Sequence, residues 1–173
     1  MARRAKSRRD QRPTGREVIA FIEKFLRIPD GPNAGQPLVL APWQCQEIHR
    51  IYDGQVRRAI ISTAKKNGKT GLCAELLLNH LVGPSTRNHR NARLFSSAMS
   101  RDQAALTFDA ARKMILLNSD LRQSIAIKES AKVLLNDELG IEYKALSSEA
   151  HRAHGSIAAP RRARSCRSSW RWK

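Results

Sequence analysis

The sequence predicts an α/β fold in three layers, with a mostly parallel sheet between helices. Runs of β-branched and apolar residues alternate with runs of helical periodicity, which is typical of parallel strands joined by helices. Clusters of proline and glycine separate these runs. The 173 residues are enough for one domain with its own hydrophobic core.

Helical periodicity and start signals place the helices. Apolar residues recur at helical spacing at about 15–27, which predicts an amphipathic helix. Pro42 suits the first turn of a second helix that runs to about residue 52, and further helices are predicted at 71–78 and 101–118. Strands are predicted at 58–63 and 92–98, with shorter pieces at 38–40, 125–127, 132–135 and 141–145.

The junction between the strand at 58–63 and the helix at 71–78 holds the tripeptide Gly68-Lys69-Thr70. In a strand–loop–helix of this kind, backbone N–H groups and the positive end of the helix dipole face an anion. Lys69 would supply a charge to the β- and γ-phosphates of a nucleotide, and the Thr70 hydroxyl would hold Mg²⁺. This context predicts a phosphate-binding P-loop.

The match to the full P-loop pattern is partial. A glycine is expected five residues before Gly68, and Thr63 stands there instead. The alternative is a surface turn that happens to contain a lysine. With ATP and Mg²⁺ as the predicted cofactors, the residues expected to bind them in this loop are Lys66, Asn67, Gly68, Lys69, Thr70 and Gly71.

The formal net charge of +17 and an isoelectric point near 11 favour a polyanion as partner, most simply nucleic acid. Residues 1–16 carry a net +6 and residues 156–173 another +6, so residues 17–155 hold only +5. We therefore expect a disordered basic arm at 1–14, a partial folded domain at 15–155, and a basic tail at 156–173 that is disordered or out of frame.

Cysteine usage and hydropathy exclude other classes. Cys45, Cys73 and Cys166 lie far apart and form no Cys-x-x-Cys pair, so neither a disulfide framework nor a zinc site is expected. No apolar run follows the N-terminal basic residues as in a signal peptide, and no stretch has the length of a membrane span. A reducing cytoplasm fits this pattern.

Short blocks of sequence between residues 18 and 155 resemble one known family in their order and spacing. They are Val18–Leu26, Gly31–Pro37, Leu40–Gln44, Arg58–Ser62 with Lys65–Thr70, Ser97–Ala104, and Ala145–Ala150 with Ala153–Gly155. Together they resemble the N-terminal ATPase region of a tailed-phage terminase large subunit, the ATP-driven motor that packages double-stranded viral DNA. The resemblance implies a three-layer P-loop NTPase whose sheet is incomplete at the C-terminal end here.

Residue roles follow from the resemblance where residues match. Gln44 resembles a glutamine that reads adenine, since its amide can both donate and accept; the alternative is a solvated side chain. Lys65 stands where many terminases carry a catalytic arginine acting on the γ-phosphate. Lysine keeps the charge without the bidentate fork, and the alternative is again a solvated residue. Lys69 would support catalysis through its charge. For Arg101–Gln103, the resemblance implies a segment that senses nucleotide or contacts DNA, but an ordinary helix start capped by Ser100 is the preferred interpretation.

The Walker B motif, a strand of four apolar residues followed by Asp-Glu, is expected soon after Ala153–Gly155 and is missing. That motif orients Mg²⁺ and the attacking water. The tail at 156–173 contains no acid and no strand pattern, which suggests a frameshifted or degenerate gene. A second Asp-Glu pair, Asp137-Glu138, follows the apolar run 133–135. We interpret Asn136–Gly140 instead as the tip of a hairpin.

Two functions remain open from the sequence. The first is the ATP-binding part of a terminase large subunit, for which the resemblance implies double-stranded DNA, the portal protein and the small terminase subunit as partners. It also implies an oligomer only on the portal, the host cytoplasm, and a nuclease domain that this chain lacks. The second is a non-enzymatic, basic nucleic-acid-binding remnant with a vestigial P-loop.

Overall fold

The helices begin at signals that the sequence carries. The structure, a computed structural model, describes residues 12–54, 56–98, 100–147 and 170–171. The basic arm therefore lies outside the described residues up to residue 11, as does the tail apart from 170–171. The helices are α1 (Gly15–Phe25), α2 (Pro42–Asp53), α3 (Lys69–Leu81), α4 (Arg101–Leu116) and α5 (Ser119–Ser124), with a 3₁₀ turn at Pro84–Asn88.

Capping fixes the start of α1. The Glu17 carboxylate accepts the backbone N–H of Thr14 at 2.8 Å, and the Thr14 hydroxyl accepts the N–H of Glu17. This reciprocal pair satisfies two of the N–H groups that a helix start leaves without partners. The apolar face of α1 is buried as predicted, with Val18 and Ile22 inaccessible to solvent. The helix ends two residues before its predicted end.

The strands form one mixed sheet. They are β1 (Arg93–Ala98), β2 (Ala126–Lys128), β3 (Val133–Asn136), β4 (Ile141–Ser147) and β5 (Trp170–Arg171), in the spatial order β2-β3-β4-β1-β5. β1 pairs in parallel with β4 and with β5, whereas the β2–β3 and β3–β4 pairs are antiparallel. The crossover through α4 allows the parallel β1–β4 pair.

Three predictions about the strands need correction. The described sheet is mixed rather than mostly parallel, because a hairpin of β3 and β4 contributes antiparallel pairs. Residues 58–63 are not a strand in the structure, although their composition favours one, since a strand also requires a ladder partner. The tail was expected to lack strand structure, yet Trp170 and Arg171 pair with Ser96 and Ser97.

The hydrophobic core contains residues of helices α1 to α4 and of the sheet. Helix α4 packs against α3 and against strands β1 and β4. Phe108, Ala111 and Met114 are its fully buried side chains on that face, together with Ile115. Helix α1 packs against α2 and α3. Helix α3 is thus held between α1 with the 3₁₀ turn and α4 with the sheet.

Candidate functional site

The loop before α3 has the backbone geometry of an anion-binding turn. Gly68 caps α3 in the left-handed conformation, with φ +70°, and Lys66 also has a positive φ of 67°. Glycine adopts this conformation without cost, whereas lysine does so at about 1–2 kcal/mol. Strained positions of this kind concentrate at functional sites. The first N–H groups of α3 point out of the helix start here, where its dipole favours negative charge.

The Lys69 side chain folds back over this loop. Its ammonium nitrogen donates to the carbonyl oxygen of Thr63 at 2.6 Å, which joins the two ends of the loop at 64–68. An ammonium group has three N–H donors, so two remain for a phosphate group. Lys65, Lys66, Asn67 and Thr70 are exposed and Gly71 is half-buried. The six residues predicted from the tripeptide therefore lie around one helix start.

Gln44 lies next to this loop although it is 24 residues away in sequence. Its Oε1 accepts the backbone N–H of Ala41 at 2.8 Å. Its Nε2 faces the loop, since a Cβ placed on Gly68 would be 3.7 Å from it. The structure thus brings together the two regions on which the nucleotide prediction depends. Because the side-chain oxygen of Gln44 already accepts the Ala41 N–H at the start of α2, the side-chain NH₂ is the group directed at the loop.

Glu75 is a residue near the loop that sequence reasoning missed. It lies one turn after Gly71, and a Cβ on Gly71 would be 3.5 Å from Glu75 Oε1. Only 4% of Glu75 is exposed, and its Oε2 has no hydrogen-bond partner among the described residues. Burial raises the pKa of this carboxyl to about 7. The signal in the sequence that could have indicated this residue was a glutamate inside the otherwise apolar run of α3.

The Asp137-Glu138 pair lies at a hairpin tip, as predicted. Asn136 pairs with Ile141 across the β3–β4 turn, and both acidic residues are exposed. Asn136 is buried and donates from Nδ2 to the carbonyl of Leu81 at 3.0 Å, at the end of α3. This position is therefore the turn of a hairpin and not the end of a strand that leads into a nucleotide site.

The start of α4 carries the cap that the sequence predicts. The Ser100 hydroxyl accepts the backbone N–H of Gln103 at 3.2 Å and caps α4. In the described part of the chain, no group of three or more His, Cys, Asp or Glu residues could hold a metal ion. Nor is any described helix long and apolar enough to cross a membrane.

Comparison with known proteins shows what this chain is similar to. The chain is 46% identical over 143 residues, 82% of its length, to the terminase large subunit of Enterobacteria phage HK97. The crystal structure of the HK97 bacteriophage large terminase superposes with a TM-score of 0.71 and 43% identity over 84% of this chain. No protein-family model matches. The chain is homologous to part of a phage terminase large subunit.

The similarity covers less than a third of the HK97 protein. The chain spans 28% of the length of the HK97 relative and 29% of the chain in the solved structure. These two comparisons confirm the resemblance to a terminase large subunit and the α/β class of the fold, while the three-layer P-loop architecture stays a prediction. Nucleotide binding, the roles of Gln44, Lys65 and Lys69, and the partners of the whole motor stay predictions.

Proposed function

We propose that this chain is the ATP-binding part of a terminase large subunit, which binds ATP with Mg²⁺ for the packaging of double-stranded DNA. One observation carries the proposal: within a chain 46% identical to a terminase, Gly68 of the Gly-Lys-Thr tripeptide is in the left-handed conformation and caps the helix that Lys69 and Thr70 begin. A turn with consecutive N–H groups at a helix start binds phosphate oxygens.

Each residue of the loop fits one part of a Mg²⁺-nucleotide. The amides from Lys66 to Gly71 suit the phosphate oxygens, and the Lys69 ammonium suits the β- and γ-phosphates. The Thr70 hydroxyl, in the first turn of α3, is a hard oxygen ligand of the kind Mg²⁺ takes. Lys65 lies in the exposed part of the loop, where its charge can reach a γ-phosphate. Bound Mg²⁺ would neutralise charge on the phosphates.

Gln44 supplies the side of the site where a base would lie. Its Nε2 is free of the Ala41 contact and faces Gly68. In this arrangement the Gln44 side chain donates one N–H to the base and accepts no hydrogen bond from it. The resulting preference among bases is weaker than a bidentate amide contact provides.

The remaining parts of the proposal concern the whole motor. The homology supports a role in packaging with the portal protein and the small terminase subunit, with assembly into an oligomer on the portal and action in the host cytoplasm. The comparisons do not favour the alternative of a basic nucleic-acid-binding remnant.

Calorimetric titration of the chain with MgATP and MgADP tests the proposal. We expect saturable binding that Lys69→Ala weakens by about 10- to 100-fold, because a charge-assisted contact to phosphate is lost. Lys128→Ala removes an exposed lysine of β2 and is the matched control, since it lowers the net charge equally. Equal affinities for wild type and Lys69→Ala would refute the proposal.

A further inference from the structure

Four polar side chains join the C-terminal halves of α2 and α3, at the end remote from the loop. Asn79 Nδ2 donates to the Tyr52 hydroxyl at 2.9 Å and to the Ser85 hydroxyl at 2.8 Å. The Tyr52 oxygen lies 3.1 Å from His80 Nε2. Asn79 and Ser85 are almost completely buried. We name these residues (Tyr52, Asn79, His80 and Ser85) the polar clamp.

The polar clamp is uncharged near neutral pH. The Tyr52 oxygen accepts a hydrogen bond from Asn79, and it donates to His80 Nε2 or accepts from it according to the tautomer of His80. Burial lowers the pKa of His80 to about 4 and raises that of Tyr52 to about 12. His89, whose ring lies 6.3 Å from that of His80, further lowers the pKa of His80. The polar clamp is therefore neutral and intact near pH 7.

The polar clamp and the loop are opposite ends of one helix pair. Gln44 and Tyr52 are eight residues apart on α2 and share a face, about 12 Å apart along its axis. On α3, Gly68 caps the start and Asn79 lies three turns later. Side-chain contacts therefore join α2 to α3 at both ends, with Gln44 Nε2 beside Gly68 and the Tyr52 hydroxyl bonded to Asn79, while the packing of α2 is against α1. The contact between Tyr52 and Asn79 ties the C-terminal end of α2 to the helix that carries the loop.

We propose that Tyr52 and Asn79 are positioning residues, which hold α2 so that the Gln44 amide stays against the Gly68 turn and recognises the base of a bound nucleotide. The inference depends on the nucleotide binding proposed above. Asp53 adds a second contact at the same end of α2, since its carboxylate accepts the N–H of Gly15 at 2.8 Å. That contact joins α2 to α1 and not to the helix that carries the loop.

A double-mutant cycle on nucleotide affinity tests the inference. In the wild-type background, Gln44→Ala should weaken MgADP binding about fivefold, because one hydrogen bond is lost. In a Tyr52→Phe background the same change should weaken binding less than twofold, because Gln44 is no longer held in place. Ser85→Ala is the control: it removes a hydroxyl from the polar clamp but leaves the hydrogen bond from Asn79 to Tyr52 that joins the two helices, and there the fivefold effect should persist. An equal effect of Gln44→Ala with and without the Tyr52 hydroxyl would overturn the inference.

Hydrogen exchange without nucleotide separates this inference from the proposed function. The Ala41 N–H is bonded to Gln44 and should exchange at least fivefold faster in Tyr52→Phe than in Ser85→Ala. If no nucleotide binds to the wild type, the proposed function fails, while this exchange rate still decides whether the polar clamp holds Gln44. Unchanged exchange would refute the positioning role. Asn79→Leu, of similar volume, breaks the same contact from α3 and replaces Tyr52→Phe in both measurements if that variant does not fold.

Discussion

Glu75 should make the stability of the chain fall between pH 5 and pH 8, and Glu75→Gln should remove that fall. In the folded chain, burial keeps the carboxyl protonated up to a pKa of about 7, whereas the ordinary value is 4.5. Between these values the folded state binds more protons than the unfolded state. The free energy of unfolding therefore decreases as the pH rises through this window.

The size of the effect follows from the pKa difference. At about 1.4 kcal/mol per pKa unit, the shift corresponds to a loss of about 3 kcal/mol when the pH is above both values. Glutamine has the same shape and no charge to desolvate. We expect Glu75→Gln to be more stable than wild type by about 3 kcal/mol at pH 8 and by less than about 1 kcal/mol at pH 5.

Urea unfolding followed by circular dichroism at pH 5, 6, 7 and 8 measures this difference directly. Glu138→Gln is the matched control, because Glu138 is exposed at the β3–β4 turn and its replacement should leave the pH profile unchanged. If the stability curves of wild type and Glu75→Gln stayed parallel across this range, the buried, unpartnered carboxyl would not be the cause of the loss.

Two further predictions concern the hairpin. Asn136→Ala should lower the free energy of unfolding, measured with urea, by about 2 kcal/mol, because the Leu81 carbonyl and the Leu139 N–H lose buried partners. The control Asp137→Ala should change this free energy little. An Asn136→Ala variant as stable as wild type would contradict the role of this side chain. Phosphate release from MgATP should stay at background for both wild type and Glu138→Gln, because Asp137 and Glu138 lie at a turn. If wild type hydrolysed ATP and Glu138→Gln did not, residues 133–138 would be the Walker B strand.

Local signals in the sequence predicted the parts of the fold that local energetics determine. Proline at the start of α2 and the Ser100 cap were predicted from neighbouring residues, and the reciprocal cap of Thr14 and Glu17, which was not predicted, is equally local. The β3–β4 turn is equally local. In each case, the side chain that satisfies a backbone group lies within one turn of it, so the sequence alone contains the interaction.

Pairing between strands was not predictable in the same way. Residues 58–63 have the composition of a strand, but Ile60 is 88% exposed and the segment has no ladder with any described strand. Strand propensity measures how well side chains pack on a pleated surface that already exists. The direction of pairing depends likewise on which strand lies beside which, and the insertion of the β3–β4 hairpin next to β1 decided it.

Two polar residues within the apolar run of α3 indicate a polar contact that the sequence analysis did not predict. Glu75 and Asn79 interrupt the apolar run of α3. Their spacing of four residues places them on one helical face, together with Gly71. Buried polar groups require partners, so such a face predicts a neighbouring helix with polar groups of its own. Tyr52 of α2 supplies one partner, and Glu75 Oε2 remains the polar atom on that face for which the described residues offer none.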